Sequence, residues 1–140
     1  SEIIWFINSR YKAKFFRELP ALKVLIDRVQ FTAKDRGYLK GLDGRQLPVR
    51  SEHSALNLLL QSAGAVIMKQ ATVFADTMLP DTVKPVAHIH DEIQYDSPED
   101  IAQSAGETVV KATIDAGLAF DLKCPLDAEF RVGKNWADTH

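Results

Sequence analysis

The 140 residues predict an α+β fold, an antiparallel sheet packed against helices. Apolar residues recur at helical spacing in four stretches, the signature of amphipathic helices with one buried face. Between them lie two reversals flanked by short strand-like runs, one at Asp43-Gly44 and one around His90-Asp91-Glu92. Helix stripes and hairpins in this alternation are most simply buried by laying the helices on one face of an antiparallel sheet.

The elements follow in order. Ile4, Ile7, Tyr11 and Phe15 are spaced as one helix, with Arg10, Lys12, Lys14 and Arg17 between them. Pro20 suits the first turn of a second helix, whose stripe is Leu22, Leu25, Ile26, Val29 and Ala33. Gly37 is placed to end it. Asp43-Gly44 marks a hairpin across residues 38–50. A long helix is predicted from His53 to Leu79, with Leu56, Leu59, Leu60, Ala63, Ile67 and Phe74 as its apolar face. His53, Asn57 and Gln61 lie at i, i+4 and i+8 and so share one side; Gly64 continues that stripe without a side chain. A glycine inside a helix costs about 1 kcal/mol relative to alanine, which hints at close approach by another group.

Strand-like runs Val83 to Ile89 and Ile93 to Tyr95 form the second hairpin. Ser97-Pro98-Glu99-Asp100 has the composition of a helix start, with Ser as cap, Pro at the first position and acids in the first turn. Ile101, Ala105, Val109, Ala112 and Ala116 are the stripe of that helix and Gly117 its end. A last strand is expected over about Phe120 to Val132, interrupted by Pro125.

Composition excludes several classes. An apolar content of 46% is enough for a core, and the length is that of one domain. No run of about 18 apolar residues is present, so no membrane span is expected, and the apolar start Ile3 to Ile7 is too short for a signal peptide. The single cysteine, Cys124, excludes an internal disulfide and fits a reducing compartment. Residues 1–50 carry eleven Lys/Arg against five Asp/Glu, a balance of +6; residues 51–140 carry six against fourteen, a balance of −8. A basic half joined to an acidic half suits a polyanion on one side and cations near the other. The chain opens on Ser1, directly in apolar residues, as the continuation of a longer sequence would.

The trio His90-Asp91-Glu92 concentrates the chemistry. Adjacent carboxylates at a reversal are costly to bury, so they are given a cation, water or both. The bland alternative is a polar turn. A second alternative takes His88-x-His90-Asp91 as a zinc or manganese cluster of a hydrolase, since His88 and His90 share a strand face.

The order of motifs narrows the choice. Gly41-Leu42-Asp43-Gly44-Arg45, then Asn57-x-x-x-Gln61-Ser62-Ala63-Gly64-Ala65, then His90-Asp91-Glu92, then Gly133-x-Asn135-Trp136 closely resembles the C-terminal part of family A DNA polymerases, nearest the phage replicative branch. The resemblance covers nearly the whole chain. It implies a palm-type antiparallel sheet whose 83–96 hairpin carries the third signature motif. Residues 1–52 would then be basic helices and a hairpin linking fingers to palm, and residues 53–140 the C-terminal part of the palm.

By position, Asp91 resembles the motif's magnesium ligand, and Glu92 its catalytic neighbour. His90 matches a residue near the primer 3′ end. Gln61 and Asn57 match residues that touch the minor groove, with His53 nearby, and Arg45 and Arg50 would lie near the DNA backbone. The implied partners are a DNA primer-template, a dNTP and two Mg2+ ions. The implied setting is the cytoplasm of a phage-infected bacterium. The physics agrees: a replicase grips every sequence through minor-groove acceptors common to all base pairs, and two metal ions clamp the oxygens of phosphoryl transfer.

Nothing in the 140 residues matches the family's first palm aspartate or its fingers helix. The resemblance therefore implies a chain that is inactive alone and is completed by a polypeptide carrying those parts. Trp5, Phe6, Phe15 and Phe16 are candidates for that contact. A non-catalytic DNA-binding or assembly module that keeps the shape without the chemistry is the remaining alternative.

Overall fold

A computed structural model describes residues 13–89 and 92–139. Residues 1–12, with Trp5 and Phe6, lie outside the described residues, as do His90, Asp91 and His140. The chain folds as two compact units, the first running to Gln61 and the second starting at Ser62.

In the first unit, residues 13–18 form helix α1. Phe15 and Phe16 meet edge to face, ring centres 5.6 Å apart, and Phe15 stays half exposed. Helix α2 (Pro20–Arg36) starts on its proline and ends at Gly37, whose φ of 73° is a left-handed cap; the Gly37 amide donates to the Ala33 carbonyl. Lys34 and Arg36 sit in its last turn, where cations suit the helix dipole. Strands β1 (Tyr38–Lys40) and β2 (Gln46–Pro48) pair antiparallel, with Leu39 opposite Leu47. Both leucines are buried, and together with Val29, Ala33 and Ala55 they make the core of this unit. The connection is longer than a two-residue turn: it spans residues 41–45, with Gly44 at φ 84° and its amide donating to the Gly41 carbonyl.

A 3-10 turn (Glu52–Ser54) leads into α3 (Ala55–Met78). By length and composition Glu52–Met78 would also pass for a membrane-crossing helix. Its surface is amphipathic instead: Asn57, Gln61, Lys69 and Asp76 are exposed while Ala55, Val66, Ala71 and Ala75 are buried.

In the second unit, β3 (Lys84–Ile89) and β4 (Glu92–Asp96) form an antiparallel pair with a bulge at Val86, between the Pro85–Tyr95 and Ala87–Gln94 pairs. The two ladders, β1-β2 and β3-β4, are separate two-stranded sheets among the described residues. Helix α4 (Ala102–Ala119) begins later than its sequence suggests. Residues 99–101 form a turn, and the Ile101 amide donates to the Pro98 carbonyl. Ser97 is not the cap; its hydroxyl lies 3.2 Å from the Pro98 carbonyl oxygen, so the acids at 99 and 100 precede the helix rather than opening it. The C-terminal end runs past Gly117 to Ala119, followed by Asp121 at φ 50°.

The expected strand over 120–132 is absent. Strand geometry needs a pairing edge, and this segment instead lies along α4. Leu126 packs on Gly117 and Phe130 on Gly106, each where a Cβ would stand. Helix α4 presents small residues there, with Ala105, Ala112, Ala116 and Gly117 all buried. Pro125 supplies no amide for a ladder. The chain closes on a 3-10 turn (Trp136–Asp138) in which the Asn135 side chain accepts from the Asp138 amide and the Asp138 carboxylate accepts from the Lys134 amide.

The close packing of Phe130 on Gly106 makes a sharp stability test. Gly106→Ala is expected to destabilise the chain by about 1–3 kcal/mol, as overpacking does, although alanine is the better helix former. Urea denaturation of the two proteins measures this directly, with an unchanged or higher midpoint contradicting the packing.

Candidate functional site

The β3-β4 hairpin is organised by strand alternation. His88 pairs with Ile93 across the ladder, so the two share a face, and Tyr95 shares it two residues on. From that face His88 reaches α3. The His88 ring nitrogen Nε2 is 3.3 Å from the Thr72 hydroxyl. Tyr95 is raised above its ordinary pKa, chiefly by burial and secondarily by the charge of Asp76. Its hydroxyl is buried with no hydrogen-bond partner among the described residues.

Glu92 and Gln94 occupy the opposite face. Glu92 is itself the first residue of β4, paired with Ile89, rather than part of the turn before it. The Gln94 amide donates to Glu92 Oε1, which orients this carboxylate along its own strand. The acid is half buried. His90 and Asp91, which immediately precede it in the chain, lie outside the described residues. Among the described residues no group of three or more His, Cys, Asp or Glu is placed to hold a metal ion. The donor chemistry still suits a hard cation. Carboxylate oxygens are the ligands magnesium prefers, and one or two are its usual complement, with phosphate and water filling the rest of the shell.

In the first unit, His53, Asn57 and Gln61 are all exposed. His53 sits in the 3-10 turn and not on the α-helix proper, so only Asn57 and Gln61 are in true i, i+4 register on α3. No described atom outside the helix's own local backbone comes within 4 Å of where a Gly64 Cβ would stand. The close neighbour that this glycine suggests is therefore not supplied by the described residues.

Arg50 is exposed, whereas Arg45 is engaged. Its Nε donates to Asp43 Oδ2 at 2.7 Å, and Nη2 stands 2.6 Å from the same oxygen. The Arg45 amide also donates to Asp43 Oδ1, at 3.3 Å. The guanidinium hydrogen bond holds the Asp43 carboxyl below its ordinary pKa. This pairing was readable in principle from Asp-x-Arg across a tight loop. Likewise Glu92-x-Gln94 follows from strand alternation. The Thr72–His88 contact had no local signal, because it joins residues sixteen apart on two different elements.

Two outcomes follow. The Asp43 carboxyl, followed by NMR, is expected to titrate below an ordinary aspartate, and Arg45→Ala to return it toward the ordinary value. A carboxyl with a lowered folded-state pKa keeps its pair at neutral pH and loses it only as pH falls through that lowered value. Gly64→Ala is expected to raise the thermal midpoint by the equivalent of about 1 kcal/mol, the helix-propensity difference. A lower midpoint would reveal a neighbour not seen among the described residues.

Comparison with known proteins agrees with this architecture. The profile for DNA polymerase family A matches residues 8–138. The DNA-directed DNA polymerase of Escherichia phage Phieco32 is 37% identical over 143 residues, covering 95% of this chain and 23% of the relative. That of Escherichia phage T7 is 37% identical over 153 residues, covering 92% of this chain and 22% of the relative. The POL domain of Pol1 from M. smegmatis, solved in complex with DNA primer-template and dNTP, superposes with a TM-score of 0.68 at 20% identity, over 75% of this chain and 21% of that one. The chain thus spans between a fifth and a quarter of the length of these relatives. With the family profile matched across almost all of its sequence, the chain belongs to DNA polymerase family A.

Proposed function

We propose that this chain is the C-terminal portion of the palm of a DNA-directed DNA polymerase and contributes one carboxylate motif and a set of DNA contacts to template-directed nucleotidyl transfer. The observation that carries the reading is the antiparallel β3-β4 hairpin leading into and out of residues 90 and 91, in a chain matched to the family over residues 8–138. Asp91 is the magnesium ligand and Glu92 its acidic neighbour, oriented by Gln94. When bound, the magnesium ions stabilise the charge that develops on the attacking, leaving and bridging oxygens.

The protein's own groups bind and orient. His90 lies toward the primer 3′ end. Asn57 and Gln61 donate to minor-groove acceptors that every base pair presents, with His53 beside them. Both side chains are exposed on α3, as such contacts require. Arg50 and Arg45 neutralise backbone phosphates. Asp43 keeps the Arg45 fork in one orientation while cancelling part of its charge. DNA primer-template and dNTP are the substrates, as they are the molecules bound to the M. smegmatis relative. Residues 1–52 link fingers to palm and residues 53–140 belong to the palm.

Only one of the family's two palm aspartate motifs occurs in these 140 residues. The other aspartate and the fingers helix come from further polypeptide, continuous with this chain or separate from it, and the 140 residues alone do not extend a primer. The cytoplasm of a phage-infected bacterium is the setting this reading entails.

Primer extension by the protein purified with its native partners tests it. Asp91→Asn is expected to lower the rate at least about 10³-fold, the equivalent of about 4 kcal/mol of transition-state stabilisation, with primer-template affinity largely kept. Full activity in that variant would refute the assignment. Magnesium-dependent extension by the isolated 140 residues would refute the need for a second palm motif.

A further inference from the structure

Among the described residues the β3-β4 ladder has two strands, and a two-stranded hairpin is marginal in water unless it packs on something. Here a side chain of β3 reaches α3. Near its base, buried Val83 precedes β3, and Tyr95 lies close enough to Asp76 of α3 for the two to interact electrostatically. Nearer its tip, His88 meets Thr72 of α3. Thr72 and Asp76 are one helical turn apart and share a face. The contact of His88 with Thr72 is the one closer to the tip of the hairpin.

The direction of the His88 contact can be worked out. The Thr72 hydroxyl has one proton, and it donates that proton to the Met68 carbonyl 2.9 Å away. Its oxygen must then accept from His88, so Nε2 carries the ring proton. A valine at position 72 would match the shape and could not accept. A residue at position 88 with no donor would leave the hydroxyl half used.

We propose, building on the polymerase reading above, that Thr72 and His88 are positioning residues: the hydrogen bond from His88 to Thr72 anchors β3 to α3 and so sets where the hairpin presents Glu92. Neither residue touches substrate. Both act through Glu92, four positions beyond His88. Its loss weakens the presentation of Glu92 without unfolding the hairpin, which keeps its ladder.

The test uses the native polymerase that contains this chain, with the variants T72V, T72S, H88A, H88Q and the double variant T72V/H88A. Two quantities are read. One is the Mg2+ concentration for half-maximal primer extension, set against KM for primer-template. The other is hydrogen exchange in the peptide covering residues 84–96, set against residues 38–48 as an internal control. T72V and H88A are each expected to raise the Mg2+ midpoint about fivefold, the range of one net hydrogen bond. KM for primer-template stays within about twofold, and exchange quickens only in the hairpin. T72S, which keeps the acceptor, and H88Q, which keeps a donor, remain near wild type. The double variant is no worse than either single one, because both remove the same bond.

Unchanged Mg2+ midpoints and exchange in T72V and H88A overturn the proposal, as do additive losses in the double variant. Quickened exchange in residues 38–48 also overturns it, since the effect is then general loosening. An Asp91→Asn control that retains full rate overturns the polymerase reading itself, and this assignment with it.

Discussion

A hairpin of two strands, the second opening on the acid Glu92, cannot hold itself. Two strands bury too little surface to be stable alone, and carboxylates gain nothing from desolvation until a cation arrives. Strand alternation puts His88, Ile93 and Tyr95 on one face and Glu92 and Gln94 on the other, and from the first face His88 meets Thr72 of α3. The face that meets α3 is thereby separate from the one that carries Glu92. The same helix carries Asn57 and Gln61 at its other end, where it forms part of the first unit.

Packing in the described residues depends on small side chains. The buried set is mainly alanine and valine with Leu39 and Leu47, and no large side chain is fully buried. Small faces allow close approach: the aromatic ring of Phe130 and the branched end of Leu126 sit directly on glycines of α4. Large apolar side chains lie instead at the surface, among them Phe31 at 71% and Leu118 at 69% exposure. Exposed apolar area of this kind is the usual mark of surfaces that meet other protein. It agrees with a chain that spans between a fifth and a quarter of the length of its relatives.

Electrostatics in the first unit is more local than the charge balance suggests. The +6 of residues 1–50 is an average over pairs such as Lys23–Asp27 and Arg45–Asp43. Exposed pairs of this type contribute little to stability, but they decide which cations remain to meet a polyanion. Arg45, held by Asp43, and Arg50, exposed, therefore differ in surroundings, although composition alone makes them equivalent.

The two hairpins, the Pro20 start and Gly37 end of α2, and the family were legible in the sequence, because each rests on a short-range rule or an ordered set of motifs. The polar stripe on α3 was legible for the same reason. It misplaced the start of α4 and assigned a strand to 120–132, since local composition cannot tell a strand from an extended segment laid on a helix. Only the partner decides that, and here the partner is the glycine and alanine face of α4. Tertiary structure alone decided that His88 faces Thr72, that Arg45 is held by Asp43, and that no described residue fills the space at Gly64. These are contacts between side chains whose distance in space no periodicity encodes.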